Sequence, residues 1–133
     1  MTPPRLPAAP LISVIIPCYN HGKYLSKAIG SVLAQSHRPI EIIVVDDGST
    51  DNTQAAAAHY PEVKYIYQHN QGPSAARNTG IDQSSGDFLV FLDADDWLLE
   101  DALHINLQYL LKEPLAGLSP ALTRCRKNVQ PTK

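Results

Sequence analysis

Two carboxylates one residue apart, in Asp93-Ala94-Asp95-Asp96, follow directly on the apolar run 88–92. Exposed where a buried strand ends, Asp93 and Asp95 can share a hard divalent cation through oxygen ligands. Mg²⁺ and Mn²⁺ suit such a pair, because both keep several waters and accept phosphate oxygens as remaining ligands. A metal-bridged diphosphate is the natural partner. The plainer alternative is a turn that caps the helix after Trp97. A second acidic pair, in Asp46-Asp47-Gly48-Ser49, follows the apolar run 40–45. Its side chains point in different directions, so at most one lines a groove, where a carboxylate can accept the imide N–H of uracil or hold ribose hydroxyls. Read plainly, the same residues are a turn followed by a helix cap.

Pro17-Cys18-Tyr19-Asn20 closes another apolar run. There Tyr19 can stack on a base, and Pro17 offers a backbone carbonyl without a competing N–H; a simple strand stop is the alternative. Cys18 is a weak candidate for a nucleophile, since sequence alone does not place the His21 ring against it, and the five histidines show no metal-ligand spacing. Gly72-Pro73-Ser74-Ala75-Ala76-Arg77-Asn78 opens a helix with small residues, which can cradle a phosphate on backbone N–H groups or simply pack closely on a sheet. Arg77 can pair with that phosphate or with a strand-end carboxylate.

The elements that position these residues follow from periodicity. Strands are expected over 12–16, 40–45, 63–67 and 88–92, where apolar and mostly β-branched or aromatic residues run together. Helical spacing joins Tyr24, Leu25, Ala28, Ile29, Val32 and Leu33, and again Leu99, Ala102, Leu103, Leu107, Leu110 and Leu111. Shorter alanine-rich or small-residue helices fit 52–59 and 74–83, and no strand is expected after the last helix. Strand and helix alternate with short connections, which predicts a doubly wound parallel α/β sheet that binds its ligand at the carboxyl ends of the strands. Those ends carry residues 17–20, 46–49 and 93–96.

The chain's 133 residues allow one domain, and 11 basic against 13 acidic side chains leave no field to hold nucleic acid or an anionic membrane. No apolar run is long enough to span a bilayer, and no signal-peptide core is present. Two distant cysteines, Cys18 and Cys125, point to a reducing, cytoplasmic setting. Neither G-x-G-x-x-G after the first strand nor G-x-x-x-x-G-K-[ST] occurs, which disfavours a dinucleotide dehydrogenase and a P-loop nucleotidase.

Residues 12–20, 41–51, 72–78 and 91–96, taken in that order, closely resemble the nucleotide-sugar half of family-2 inverting glycosyltransferases, over about residues 11–112. The resemblance implies a GT-A fold: a Rossmann-like, three-layer α/β/α arrangement with a mainly parallel sheet, here truncated after the Asp-x-Asp motif. It implies that Pro17, Cys18, Tyr19 and Asp47 contact the nucleoside and that Arg77, Asp93 and Ala94 belong to the nucleotide-sugar site. Asp95 with Asp93 is implied to ligate Mn²⁺ or Mg²⁺. The implied partner is a nucleoside-diphosphate sugar, with a UDP-sugar as the expected one.

In that family the general base lies after the Asp-x-Asp motif, where this chain has only about forty residues. Glu100, Asp101 and Glu113 read as a solvated helix and its end, so the catalytic residue stays unassigned. The resulting expectation is a disordered segment over 1–10, a donor-binding subdomain over 11–112 and a tail over 113–133. Such a chain is either the donor-binding portion of a transferase or a nucleotide-sugar-binding module without transfer activity. Self-association through apolar surface is expected as well.

Overall fold

A computed structural model describes residues 9–112 and 123–124. Its elements in chain order are β1 (Ile12–Cys18), α1 (Gly22–Leu33), β2 (Ile40–Asp47), α2 (Thr53–Ala58), β3 (Val63–Gln68), α3 (Pro73–Gln83), β4 (Phe88–Phe91), α4 (Ala102–Lys112) and β5 (Thr123–Arg124). The strands form one sheet in the order β3-β2-β1-β4-β5. Pairing is parallel for β3-β2, β2-β1 and β1-β4, and antiparallel for β4-β5. The β4-β5 pairing corrects the expectation that no strand follows the last helix; with only two residues on β5, periodicity had nothing to act on.

Alternation along the buried strands assigns the two faces. Ile12, Val14 and Ile16 of β1, with Ile42 and Val44 of β2 and Phe88 and Val90 of β4, pack in one cluster with α1, α2 and α4. Ile43 and Val45 face the other way, against Ala76 of α3. Three layers result. Gly80 lets α3 lie close on the sheet, because a Cβ there would run into the Ile15 side chain.

Two strands outlast their apolar runs, and both extensions matter for the site. Ile15 accepts a hydrogen bond from the Leu92 amide at 2.9 Å on the β4 side. Pro17, two residues on, faces the same side, beyond the last β1-β4 pair Ile15↔Phe91, so its missing N–H costs no ladder bond and β1 continues to Cys18. In β2, Asp46 and Asp47 are strand residues paired with Tyr67 and Gln68, where a turn was expected. The last helix also differs from expectation. It begins at Ala102 instead of Leu99, because Asp101 adopts φ 62°, which no right-handed helix can contain, and Leu99 is left 74% exposed. Leu110 and Leu111 have side chains outside the described residues.

Of the segment expected to be disordered, 1–8 lies outside the described residues, whereas Pro10 is buried and its carbonyl meets His37 Nε2 at 2.7 Å. The 113–133 tail lies outside the description except for β5. No helix among the described residues is long and apolar enough to cross a membrane.

Candidate functional site

From β1 the chain steps outward through β2 to β3, then returns over the sheet to place β4 on the other side of β1. That reversal opens a crevice at the carboxyl ends of the strands. A cavity of about 490 Å³ occupies it, a size suited to a small ligand. Pro17, Cys18, Tyr19, Asp47, Arg77, Asp93, Ala94 and Asp95 all line it. His21 and Asn70 line it too, and neither is among the site residues expected from the sequence. The His69-Asn70-Gln71-Gly72 turn was the available signal for Asn70. Nothing in sequence marked His21 beyond its place after Asn20.

The two aspartates at the end of β2 diverge. Asp46 turns away from the cavity: its carboxylate accepts the Ser49 amide at 2.9 Å and the Tyr65 hydroxyl at 2.5 Å. Burial, and then this carboxylate, push the Tyr65 phenol well above its ordinary pKa, so it stays protonated and donates. Asp47 is 3% exposed and faces the crevice. One oxygen accepts Gln68 Nε2 and the Gln71 amide, both at 2.9 Å; the other accepts the Gly72 amide at 2.9 Å and Asn70 Nδ2 at 3.3 Å. A carboxylate has about four lone-pair sites, so Asp47 is fully engaged in shaping the 68–72 loop. A ligand N–H reaching it must displace a partner, and the long Asn70 contact is the weakest one. Gly48 completes the corner at φ 83°, with space for a Cβ blocked by the Asn70 amide nitrogen 2.7 Å away.

At the end of β1, Asn20 accepts the Thr50 amide on its side chain at 2.8 Å, and its own amide donates to Ser49 Oγ at 2.9 Å. Burial pushes the Cys18 thiol above its ordinary pKa, even though hydrogen bonds from Thr53 and the His21 backbone oppose this. A protonated, buried thiol is a poor nucleophile. Asp51 ties two helix starts together, accepting the Gly22 amide at 2.9 Å and the Thr53 amide and hydroxyl at 3.0 and 2.5 Å. Desolvation raises the Asp51 pKa, but these hydrogen bonds outweigh it and hold the carboxyl below its ordinary value. A depressed folded-state pKa gives stabilisation that is complete above the unfolded value, near pH 4, and is lost as pH falls through the folded one. Asp51 is solvent-exposed, which screens its charge, so Asp51→Ala is expected to lower the unfolding free energy by no more than about 1 kcal/mol at pH 7. In urea titrations the gap to the parent chain should narrow below about pH 4; a gap unchanged down to pH 2 would count against the carboxylate's role.

Ala94 is 1% exposed and belongs to the core, which turns the flanking Asp93 and Asp95 out toward solvent. Carboxylate oxygens of Asp93, Asp95 and Asp96 lie within 4.8 Å of one another. Asp93 also meets Arg77 of α3 at 3.8 Å, an exposed pair that contributes little to stability. All-oxygen donors are what Mg²⁺ and Mn²⁺ take, and ligands at about 2.1 Å from one ion can lie up to ~4.2 Å apart, so the cluster fits such an ion after a small contraction. Asp96 joins this group although sequence reading assigned only Asp93 and Asp95 to a metal. Its amide donates to the Asp93 carbonyl at 2.9 Å, a turn that brings the third carboxylate round.

The family model described as Glycosyl transferase family 2 matches residues 13–133. An uncharacterized glycosyltransferase of Rickettsia conorii, RC0461, is 43% identical over 102 residues, covering 74% of this chain and 17% of that protein. S. aureus TarS 1–349 in complex with UDP-GlcNAc superposes with a TM-score of 0.73 at 31% identity, over 77% of this chain and 32% of that one. The mannosyltransferase PcManGT from Pyrobaculum calidifontis, in complex with GDP-Man and Mn²⁺, does so with a TM-score of 0.70 at 28% identity, over 76% and 32%. The fold is the Rossmann-like GT-A sheet of these neighbours. The chain spans 17% to 32% of the length of these relatives.

Proposed function

The chain belongs to glycosyl transferase family 2, and we propose that its crevice holds the nucleoside diphosphate of an activated sugar donor, a UDP-sugar, for transfer to an acceptor hydroxyl with inversion. The observation that carries this reading is that one cavity joins the Asp47 corner to the acidic group containing Asp93 and Asp95. Tyr19, half exposed on the rim, stacks on the base, while Pro17, Cys18 and Asp47 border the nucleoside. Asp93 and Ala94 border ribose and diphosphate, and Arg77 contacts phosphate in exchange for its loose pairing with Asp93. Asp95 with Asp93, joined by Asp96, would hold Mn²⁺ or Mg²⁺, whose charge offsets that developing on the departing diphosphate.

A second reading, a donor-binding module without transfer activity, is favoured by the carboxylates after Asp96. Neither Glu100 nor Asp101 lines the cavity, and Glu113 lies outside the described residues. Self-association and a reducing, cytoplasmic setting complete the proposal. Ile105 and Tyr109, one turn apart on α4, are 62% and 50% exposed, and Cys18 is a free thiol.

Calorimetry with UDP tests the site. Binding in Mn²⁺ is expected to be at least about tenfold tighter than in chelator, because the ion supplies the charge that the near-neutral surface lacks. UDP should also bind more tightly than GDP. Equal affinity with and without metal would overturn the assignment. Sugar transfer or donor hydrolysis by the purified chain would remove the second reading.

A further inference from the structure

The acidic cluster stands on a stretch with no regular structure of its own: between the end of β4 at Phe91 and the start of α4 at Ala102 there is neither helix nor strand. That stretch is fastened from outside. Lys27, Ser31 and Gln35 follow one another at four-residue intervals along α1 and the turn that ends it, a spacing that aligns their side chains in one row. Lys27 Nζ sits 3.7 Å from the centroid of the Trp97 ring. Ser31 Oγ accepts the Leu98 amide at 2.9 Å and donates to the Ala28 carbonyl at 2.7 Å. Gln35 Nε2 donates to the Leu99 carbonyl at 2.8 Å and to the Ser31 carbonyl at 3.2 Å, while its Oε1 accepts the Leu103 amide at 3.0 Å.

Apart from the Ala28 and Ser31 carbonyls of α1 itself, the partners of this row, Trp97, Leu98, Leu99 and Leu103, all belong to the chain that follows Asp96. The segment's own internal support is slight: the Asp96 amide on the Asp93 carbonyl, then the Ala102 amide on the Leu99 carbonyl. Meanwhile three exposed carboxylates within 4.8 Å repel one another and push the segment toward looser arrangements. Octahedral cations tolerate little misplacement of their ligands. A site that binds them must be held to within about half an ångström by groups outside it. Gln35, only 4% exposed, uses both ends of its amide on this segment and its anchor and touches nothing in the cavity.

We propose that Lys27, Ser31 and Gln35 form a clasp on α1 that holds residues 97–103 and so fixes Asp93, Asp95 and Asp96 in the spacing a divalent cation requires. These three are positioning residues and contact neither metal nor nucleotide. The inference rests on the reading of the acidic cluster as a metal site. In the folded state the clasp acts on the metal end of the crevice and leaves the Asp47 corner untouched.

The test pairs two ligands on the purified chain: Mn²⁺, followed by electron paramagnetic resonance, and uridine, which lacks phosphates, followed by NMR shifts. Ser31→Ala combined with Gln35→Met removes the hydrogen bonds at nearly constant volume. This double variant is expected to weaken Mn²⁺ binding by about tenfold or more, as loss of groups that orient metal ligands does, with uridine affinity unchanged. Ser31→Thr, which keeps a hydroxyl, should retain parental Mn²⁺ affinity. If the double variant does not fold, Gln35→Met alone serves instead, since it loses the hydrogen bonds to Leu99 and Leu103 and leaves Ser31 on the Leu98 amide. Mn²⁺ and uridine affinities that fall together would reduce the clasp to a general support of the fold and overturn the proposal, as would unchanged Mn²⁺ affinity in a folded variant. A parent chain that binds uridine and no Mn²⁺ would instead overturn the metal-site reading itself, and the clasp with it.

Discussion

Asp47→Ala is expected to lower the unfolding free energy by about 2–4 kcal/mol and to remove nucleotide binding. The carboxylate is 3% exposed and accepts from Gln68, Asn70 and the amides of Gln71 and Gly72. Truncation takes the acceptor from Gln68 Nε2 and from the Gln71 and Gly72 amides, while Asn70 Nδ2 keeps the Asp47 carbonyl at 3.0 Å, and the loop cannot simply close inward, because Gly48 already lies against the Asn70 amide. The 68–72 loop leads directly into α3, so its loss of definition also displaces Arg77 and the cavity wall formed by Gly72 and Pro73. Asp47→Asn should be milder. It keeps one acceptor oxygen, but its amide nitrogen faces the donors that the second oxygen served. Urea unfolding gives the stability and calorimetry with UDP the binding; an alanine variant within about 0.5 kcal/mol of the parent would contradict the role assigned to Asp47.

Most of what makes this corner was legible in the residues themselves. Apolar runs closed by Pro17, Asp46 and Asp93 brought the strand ends to within two residues, and their alternation with helices placed those ends on one rim. Three features were not legible, two because they depend on a partner distant in the chain and one because it turns on a single backbone angle. Asp46 and Asp47 continue β2 because β3 pairs with them, and a local reading of Asp-Asp-Gly-Ser sees only a turn. Leu99 fits the helical spacing of the residues after it, yet the left-handed Asp101 stops the helix short, a backbone choice that spacing does not encode. Ser31 and Gln35 look like the polar residues that end any helix; their partners Leu98, Leu99 and Leu103 lie more than sixty residues away.

The opposite balance is expected at the other end of the crevice. Replacing Asp93 and Asp95 together with asparagine should weaken Mn²⁺-dependent UDP binding by about 100-fold, because each change removes a charged oxygen ligand from a cation that prefers anionic oxygen. Stability should not fall. Both side chains are exposed, the Arg77–Asp93 contact at 3.8 Å is weak, and neutralising two of three crowded carboxylates relieves their repulsion. The midpoint of thermal unfolding without metal is therefore expected to stay level or rise, while added Mn²⁺ should raise it only in the parent chain, since a ligand stabilises the state that binds it. The same residue type thus has opposite worth at the two ends of one cavity. Asp47 is buried and holds the fold together through four donors; Asp93 and Asp95 are solvated and stand in a mutually repulsive group, which the proposed cation would relieve. If the double asparagine variant kept metal-dependent binding, or lost stability as Asp47→Ala is expected to, the cluster would be a structural turn and the ion would have to bind elsewhere.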